Sequence, residues 1–196
     1  NVSSDYFSAD NTFLQTTAFN TASNQETQIF TAQLDYSVDI TKDSSLELGI
    51  KTSQIETKSS IVQNDIVNNQ EMLNGNNSDA FNYNEDILAA YVSYTTNWDK
   101  WDLSTGLRLE QTKIRGKQVL NNETNKQDYL EWFPTANISY QASDKTSIYA
   151  NYKRSIQRPS YTNLNPFKFF FNDNTFVTGN PDLQPVFVNH ITIGTS

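Results

Sequence analysis

The residues most able to do chemistry are pairs of carboxylates. Glu85 and Asp86 are adjacent, and Asp35 and Asp39 are four residues apart. Glycoside hydrolases need two carboxylates about 5–10 Å apart, so these pairs are where a catalytic site would be sought. Acidic residues on the polar face of a strand are, however, ordinarily solvated charges. The sequence therefore predicts that the protein is not an enzyme, and it nominates no catalytic residue.

Metal and nucleophile chemistry have equally little support. Histidine occurs once, at His190, and cysteine does not occur, whereas a zinc site needs three or four ligands. A Ser-His-Asp triad would depend on His190 alone, and no nucleophile turn lies near it. We expect no metal, no cofactor and no disulfide. The net charge of −8 and the pI of about 4.5 argue against a nucleic-acid partner.

The composition favours strands with one wet face and one apolar face. Mean hydropathy is −0.63, yet aromatic residues make up 13% of the chain, and a disordered chain would have few of them. No apolar run reaches the roughly 18 residues that a membrane-spanning helix needs. Strands of an outer-membrane barrel cross with about 9–11 tilted residues of alternating character. The elements that must position any site are therefore strands.

Alternation of apolar and polar residues predicts three β-hairpins. In the first of them, Leu34 and Tyr36 share one parity while Gln33 and Asp35 take the other, as in a strand that separates two environments. The hairpins pair 28–40 with 46–53, 88–95 with 101–110, and 132–141 with 147–157, with short polar turns at 41–44, 97–100 and 142–145.

Long polar segments separate these hairpins. Residues 57–79 and 116–128 lack period two, and we predict them to be loops. Short and long connections therefore alternate, with the long ones after 57, 115 and 158, as in the wall of an up-and-down antiparallel barrel. Residues 1–25 show weaker signals for one or two strands, with a turn at 9–11.

Charges indicate which face of such a wall is the inner one. Arg108 and Glu110 share a face and could pair in a wet lumen, whereas an arginine facing lipid at the midplane costs about 2–4 kcal/mol. The charged parity is therefore predicted to face inward. Arg154 breaks the apolar parity near a strand end, from which its side chain could snorkel to the interface. Aromatic residues typical of interfacial girdles lie at both ends of the strands: Trp98 and Trp101 at the short turns, and Tyr129, Trp132 and Phe133 at the long loops.

The stretch 146–185 organises the last part of the chain. A strand ends at Arg-Pro 158–159, where proline removes a ladder donor, and resumes only after Pro185. Most connections in soluble domains are about 4–6 residues long. Asn-Pro at 165–166 and Gly-Asn-Pro at 179–181 predict turns, through positive φ at glycine or restricted rotation at proline. The aromatic residues expected to pack this loop or line its outer vestibule are Phe167, Phe169, Phe170, Phe171 and Phe176.

Four segments occur in the order expected of one known family. They are LSTGLRLEQT at 103–112, WFPTANISYQ at 132–141, YKRSIQRPSYTNLNPF at 152–167 and GNPDLQP at 179–185. Together they resemble the barrel region of TonB-dependent outer-membrane receptors, in particular the outer-membrane beta-barrel family abundant in Bacteroidetes. The motifs carry the resemblance over residues 80–196, and over residues 27–57 only the strand pattern carries it. The residues to which it assigns a structural motif role are Arg158, Pro159, Leu164, Asn165, Pro166, Phe167, Gly179, Asn180, Pro181, Leu183 and Pro185.

The resemblance implies a barrel of about 22 strands closed around an N-terminal plug. It also implies the outer membrane of a Gram-negative cell and uptake energised by the TonB system. This chain holds about eight predicted strands and no plug-like segment, so residues 1–196 are expected to be a partial β-barrel domain, a fragment of the receptor wall. Uptake of an unidentified nutrient, with outer-membrane lipid, plug and TonB as partners, is then expected of the full-length parent.

A soluble secreted β-sandwich that binds glycans through exposed aromatics is the alternative. Alternating strands with aromatic residues also build soluble sandwiches. Strands of globular proteins are typically about 5–6 residues long, whereas these keep their pattern for 11 or more residues, which favours the barrel. A monomer that is soluble without detergent and binds a polysaccharide would indicate the sandwich.

Overall fold

The computed structural model, which describes all residues Asn1–Ser196, is built almost entirely from antiparallel strands. Its one helix is a single turn, and no helix is long and apolar enough to cross a membrane. The elements in chain order are β1 (Val2–Phe7), β2 (Phe13–Thr41), β3 (Ser44–Val67), β4 (Gln70–Leu73), β5 (Asp79–Trp98), β6 (Trp101–Gln118), β7 (Thr124–Ser143), β8 (Thr146–Gln157), α1 (Tyr161–Leu164), β9 (Phe169–Asn172), β10 (Thr175–Val177) and β11 (Val186–Thr195).

Eight of the strands form one continuous meander. Their order across the sheet is β1-β2-β3-β5-β6-β7-β8-β11, and every neighbouring pair is antiparallel. The short strand β4 folds back on the end of β3, and β9 and β10 make a separate hairpin. This arrangement confirms the predicted all-β, up-and-down meander of about eight strands. The alternative sandwich is wrong, because the eight strands lie in a single sheet.

Tight turns lie at one end of this sheet. β2–β3, β5–β6 and β7–β8 are each joined by two residues, at 42–43, 99–100 and 144–145, as predicted. Asp99 takes a left-handed conformation, with φ 49°, which tight hairpin turns favour. Trp98 and Trp101 face each other across that turn, with ring centroids 6.2 Å apart.

The weak signals at the N-terminus correspond to two paired strands. β1 pairs with the first part of β2, from Val2 opposite Phe19 to Phe7 opposite Phe13. The predicted turn at 9–11 is confirmed between them, where Asn11 has a φ of 64°.

The two central polar segments are mostly strand, so the prediction of long loops there is wrong. β3 runs on to Val67 and β5 begins at Asp79, while β6 and β7 leave only residues 119–123 between them. Regular alternation of apolar and polar residues fades at these strand ends because they lie beyond the apolar rows, but the backbone ladder still satisfies the peptide groups. On one face, polar residues such as Ser59 and Gln63 are buried, at 7% and 4% exposed.

The two faces of the sheet differ in chemistry. One cross-strand row on the first face is apolar and consists of Leu34, Ile50, Ala90, Leu109 and Trp132. A neighbouring row on the second face consists of Asp35, Gly49, Tyr91, Arg108 and Phe133. We call these surfaces the apolar face and the polar face. Leu34 and Trp132 are 68% and 56% exposed, so no part of the chain covers the apolar face there.

The height of the apolar rows fits a lipid bilayer. On β7 they run from Leu130 to Tyr140. Eleven residues at about 3.3 Å each, tilted by about 45°, span roughly 25 Å, which is the height of the apolar band on an outer-membrane barrel.

Aromatic rings on the polar face lie over glycines of neighbouring strands. A glycine in a strand lets a second group approach closely, and glycines covered by cross-strand aromatics are a way to bend a sheet without losing packing. The three pairs are Gly49 with Tyr91, Gly116 with Phe81, and Gly194 with Tyr149.

The substitution Gly116→Val is expected to destabilise the protein by roughly 1–3 kcal/mol, the usual penalty of overpacking. A Cβ at Gly116 would lie 2.9 Å from Cζ of Phe81, which is only 1% exposed and cannot swing away. Gly75→Val is the matched control, since nothing lies within 4 Å of a Cβ there. Urea unfolding of the full-length protein in lipid vesicles measures both variants. Equal losses of stability would contradict the packing account.

Candidate functional site

The connection between β8 and β11, residues 158–185, lies against the polar face, and we call it the inner loop. It contains α1, β9 and β10. The sequence identifies this segment as a loop between two strands, and the structure shows where it goes. Along its length the inner loop contacts β5 and β6, then β3, then β1 and β2, and finally β7, so it crosses most of the sheet.

Arg158 anchors the start of the inner loop through charge. Its Nε lies 3.2 Å from Oε1 of Glu85 on β5. Its Nη2 donates to Oε1 of Glu110 and, at 3.1 Å, to Oγ1 of Thr112, both on β6. Arg108 binds the second oxygen of Glu110, with Nη2 2.6 Å from Oε2, which confirms the predicted pairing of these two residues. One carboxylate therefore holds two guanidinium groups.

This cluster is balanced in charge, and its carboxylates are shielded from water while its arginines stay partly exposed. Two arginines face two glutamates, and the side chains of Glu85 and Glu110 are only 9% and 6% exposed. Tyr83 donates a 2.9 Å hydrogen bond to Oε2 of Glu85. The Glu85–Arg158 contact is an ion pair without hydrogen-bond alignment, so Glu110 is the stronger hold. Removing one member of a buried pair leaves an uncompensated charge, at a cost of about 3–5 kcal/mol.

A buried apolar cluster fixes the next part of the inner loop. Leu164 and Phe167 are 3% and 2% exposed, and they pack with Ile61, Phe81 and Tyr83 of β3 and β5. Burying such a side chain contributes about 1.5–3 kcal/mol. The two side chains act as apolar anchors directly after the ionic one.

Two tyrosines complete this contact. Tyr161 shares a hydrogen bond with the hydroxyl of Ser59, and its ring meets that of Tyr83 edge to face with centroids 6.0 Å apart. Both tyrosines lie beyond the apolar rows of the sheet. Burial raises the pKa of Tyr161, and burial together with the Glu85 carboxylate raises the pKa of Tyr83. Both phenols are therefore neutral at physiological pH.

Two segments of the inner loop approach so closely that only glycine fits between them. The amide of Gly179 donates to the carbonyl of Asn165 at 2.9 Å, and the amide of Asn180 donates to that of Asn163 at 2.7 Å. A Cβ on Gly179 would lie 2.5 and 2.6 Å from those two carbonyl oxygens. No glycine in the chain has a positive φ. Close approach of backbone, and not a left-handed turn, is the reason for glycine here.

The tip of the inner loop reaches the first strands of the chain. Asp173 accepts hydrogen bonds from the hydroxyls of Tyr6, at 2.9 Å, and Thr17. The ring of Phe170 packs edge to face against that of Phe19, with centroids 5.8 Å apart. The loop that begins at β8 is thus fastened to β1 and β2.

The returning limb of the inner loop runs along the end of β7. The side-chain amide of Asn125 donates to Asp182, and that of Gln127 donates to the carbonyl of Leu183 at 3.0 Å. Pro185 directly precedes β11. The strand therefore resumes where the sequence predicts it.

The remaining predicted motif residues lie at bends of the same loop. Pro159 follows Arg158 and leads into Ser160, the N-cap of α1. Within the two turns, Oδ1 of Asn165 accepts from the amide of Phe167 at 3.0 Å, and Oδ1 of Asn180 accepts from that of Asp182 at 2.9 Å. Pro166 and Pro181 occupy the positions that directly follow these two asparagines. The role of the motif as a family signature stays a prediction.

The partners of the inner loop on the sheet are not nominated by the sequence analysis. Strand alternation is the signal that could have placed Glu85 on the polar face, because Glu85 lies three residues before Leu88, which is on the apolar face. The neighbouring Asp86 lies on the apolar face, so these two carboxylates cannot act together. No local signal indicates that Asp173 meets Tyr6, since the two lie 167 residues apart.

Arg154 fills a fork in the sheet. The pairing of β7 with β8 ends at Thr135, and the two strands separate beyond it. Arg154 donates to the carbonyl of Trp132 at 2.6 Å and to Oε2 of Glu131 at 2.8 Å. The guanidinium is held within the protein instead of extending to the membrane interface as predicted.

Two cavities open on the polar face, and one of them touches the inner loop. The upper cavity, of about 560 Å³, lies under the loop tip, and its lining includes Phe19, Asp65, Asn74, Phe170 and Asp173. The lower cavity, of about 370 Å³, is lined in part by Gln33, Lys51, Tyr91, Arg108 and Thr135. No group of three or more His, Cys, Asp or Glu residues could hold a metal ion. Both linings combine amide, hydroxyl and charged groups with apolar side chains, so both cavities offer hydrogen-bond partners to a solute.

Known proteins share this architecture. A family model described as "Outer membrane protein beta-barrel family" matches residues 1–196. The fold is similar to the ferric citrate transporter FecA in its unliganded form, with a TM-score of 0.54 and 17% identity, covering 70% of this chain and 22% of FecA. It is also similar to the ferric yersiniabactin uptake receptor FyuA from Yersinia pestis, with a TM-score of 0.50 and 15% identity, covering 92% of this chain and 27% of FyuA. No curated protein sequence matches at a significant level. The chain spans about a quarter of the length of these two solved structures.

The substitution Arg158→Met is expected to release the start of the inner loop. It leaves two buried carboxylates with only one arginine, and a loss of about 3–5 kcal/mol of local stability raises amide exchange by roughly 100-fold or more. Hydrogen exchange of peptides from 160–172 in the full-length protein measures this effect. Lys145→Met, at a tight turn and without an ion pair, is the control. Unchanged exchange in Arg158→Met would contradict the proposed anchor.

The substitution Gly179→Ala is expected to separate the two loop segments, because the atoms that a Cβ meets are backbone oxygens. We expect roughly 1–3 kcal/mol of local destabilisation, seen as faster limited proteolysis within 160–185. Gly75→Ala, which meets no atom within 4 Å, should leave the digestion rate unchanged. The same rate for both variants would show that the close approach is not required.

Proposed function

The chain belongs to the outer membrane protein beta-barrel family and is located in the cell outer membrane, and from that premise we propose that it forms part of the barrel wall of a TonB-dependent receptor. In this proposal the full-length receptor takes up a nutrient that is still to be identified. The chain contributes wall and lumen surface to transport and carries no catalytic step.

The observation that carries the proposal is the contrast between the two faces. The apolar face is left uncovered over a height of roughly 25 Å, as a lipid-facing surface requires. The polar face carries the inner loop, held by Arg158 on Glu110 and by Phe167 in the apolar cluster. A loop folded onto the polar face of a barrel wall lies inside the lumen.

We propose that residues 1–196 are a partial barrel domain of a longer receptor. In lipid, the free edges of β2, over the residues that follow its pairing with β1, and of β11 would leave unpaired backbone groups, and each such group costs several kcal/mol. Further strands of the receptor are expected to pair with both edges. The plug and the TonB system are then partners of the full-length protein, and they act on the lumen into which the inner loop folds.

In this proposal the inner loop narrows the lumen at its outer end. The ligand would pass between the loop and the remaining wall, next to the upper cavity. Asp65 and Asp173 make this cavity acidic, and Asn74 adds an amide. These groups favour a polar solute that offers hydrogen-bond donors.

Loss of the full-length gene is expected to abolish uptake of at least one component of the growth medium, and loss of TonB should abolish uptake of the same component. Mass spectrometry of spent medium from wild-type, gene-deleted and TonB-deleted cells measures both effects. The gene should also encode a plug domain upstream of this segment. Uptake that persists without TonB, or a gene without a plug-coding region, would contradict the proposal.

A further inference from the structure

A group of cations lies on the apolar face just beyond the last apolar row. That row consists of Leu88, Gln111 and Leu130. The next two rows toward the inner-loop end consist of Asp86, Lys113 and Asp128, and then of Asn84, Arg115 and Lys126. Lys117 follows on β6. We call Lys113, Arg115, Lys117 and Lys126 the outer cationic patch.

The two central cations of this patch lack partners. Arg115 and Lys126 lie directly opposite each other on β6 and β7, and both are exposed. Neither takes part in an ion pair within the chain. Like charges directly opposite each other destabilise a sheet. A bound anion would relieve that repulsion.

The neighbouring acids offset only part of this charge, because the four cations of the patch outnumber the two aspartates. Asp86 and Asp128 flank Lys113 in the row below, and Asp128 accepts a hydrogen bond from Gln111. A cavity of about 480 Å³ opens among these rows, and its lining combines Asn84, Lys113, Arg115 and Lys126 with Asp86 and Asp128. The cations and the side-chain amide can all donate hydrogen bonds to an anion in that cavity.

The height of the patch matches the level of lipid headgroups. Arg115 lies four residues beyond Gln111 on the same strand. At about 3.3 Å per residue and a tilt near 45°, this places Arg115 roughly 9 Å above the last apolar row. The headgroup region of a bilayer occupies about 5–8 Å on each side of the hydrocarbon core. The backbone of Arg115 therefore lies at the outer margin of this region, from which its long side chain can reach back to the headgroup phosphates, with uncovered apolar side chains below them.

We propose that the outer cationic patch binds the phosphate group of a phosphorylated lipid in the outer leaflet, with the acyl chains of that lipid lying along Leu88, Leu130 and the rows below them. Charge complementarity and continuity with the lipid-facing rows favour this occupant over a protein partner. The inference goes beyond the proposed transport function, because it depends only on the orientation of the wall in the membrane.

Native mass spectrometry of the full-length protein in detergent, with added phosphorylated lipid A, tests the proposal. Each Lys or Arg near an anionic membrane surface contributes about a factor of 5 in binding, so Arg115→Gln/Lys126→Gln should weaken binding roughly 25-fold. The matched control is Lys100→Gln/Lys145→Gln, which removes two cations at the tight-turn end and should leave binding unchanged. Heat-dependent mobility on SDS gels verifies that each variant is folded.

Two further arms distinguish the source of the phosphate and the sign of the effect. Lipid A without its phosphates should bind the unsubstituted protein weakly. Its affinity should equal that of phosphorylated lipid A for Arg115→Gln/Lys126→Gln. Millimolar inorganic phosphate should not displace phosphorylated lipid A. Asp86→Asn/Asp128→Asn should tighten binding. Equal binding of both lipids, displacement by inorganic phosphate, or no effect of the Arg115/Lys126 substitutions would overturn the proposal.

Discussion

The Glu110 carboxylate is the contact on which the arrangement of the inner loop depends. It lies on β6, where it holds Arg108 of its own strand and Arg158 from the end of β8. Removing one of these arginines would leave buried carboxylate charge without a partner, which is strongly destabilising. The side of the sheet to which Glu110 points therefore fixes where the inner loop can lie. Because Arg158 holds the chain on the polar face, Leu164 and Phe167, a few residues further along, can reach their apolar cluster.

Alternate residues along each strand face two different environments, and few residues are buried within the chain itself. Only 17 of 196 residues are buried, so burial within this chain cannot supply most of the stability. Leu109 faces outward and Glu110 faces inward although they are neighbours in sequence. The backbone ladder is continuous across eight strands, and the remaining burial comes from lipid on one face and from the inner loop on the other. This division explains a polar average composition in a membrane-located protein.

Local patterns in the sequence predict the part of the fold in which one face is apolar. Strict alternation locates the hairpins around 42–43, 99–100 and 144–145, because lipid-facing residues have to be apolar there. It fails over 57–67, where strand β3 continues with polar residues on both faces. The inner loop cannot be predicted from local patterns either. Its anchors join Arg158 to residues 46 and more positions away, and Gly179 reflects an approach of two segments that no turn signal describes.

Cross-linking of the loop tip to the sheet tests the central claim that the inner loop crosses the polar face. The chain has no cysteine, and Asp173 is hydrogen-bonded to Thr17. With other cysteines of the full-length protein replaced, Thr17→Cys/Asp173→Cys should form a disulfide in the outer membrane of intact cells, and the pair should resist membrane-impermeant maleimide. Two free thiols that are both labelled rapidly would contradict the account, because they would place the loop tip away from β2.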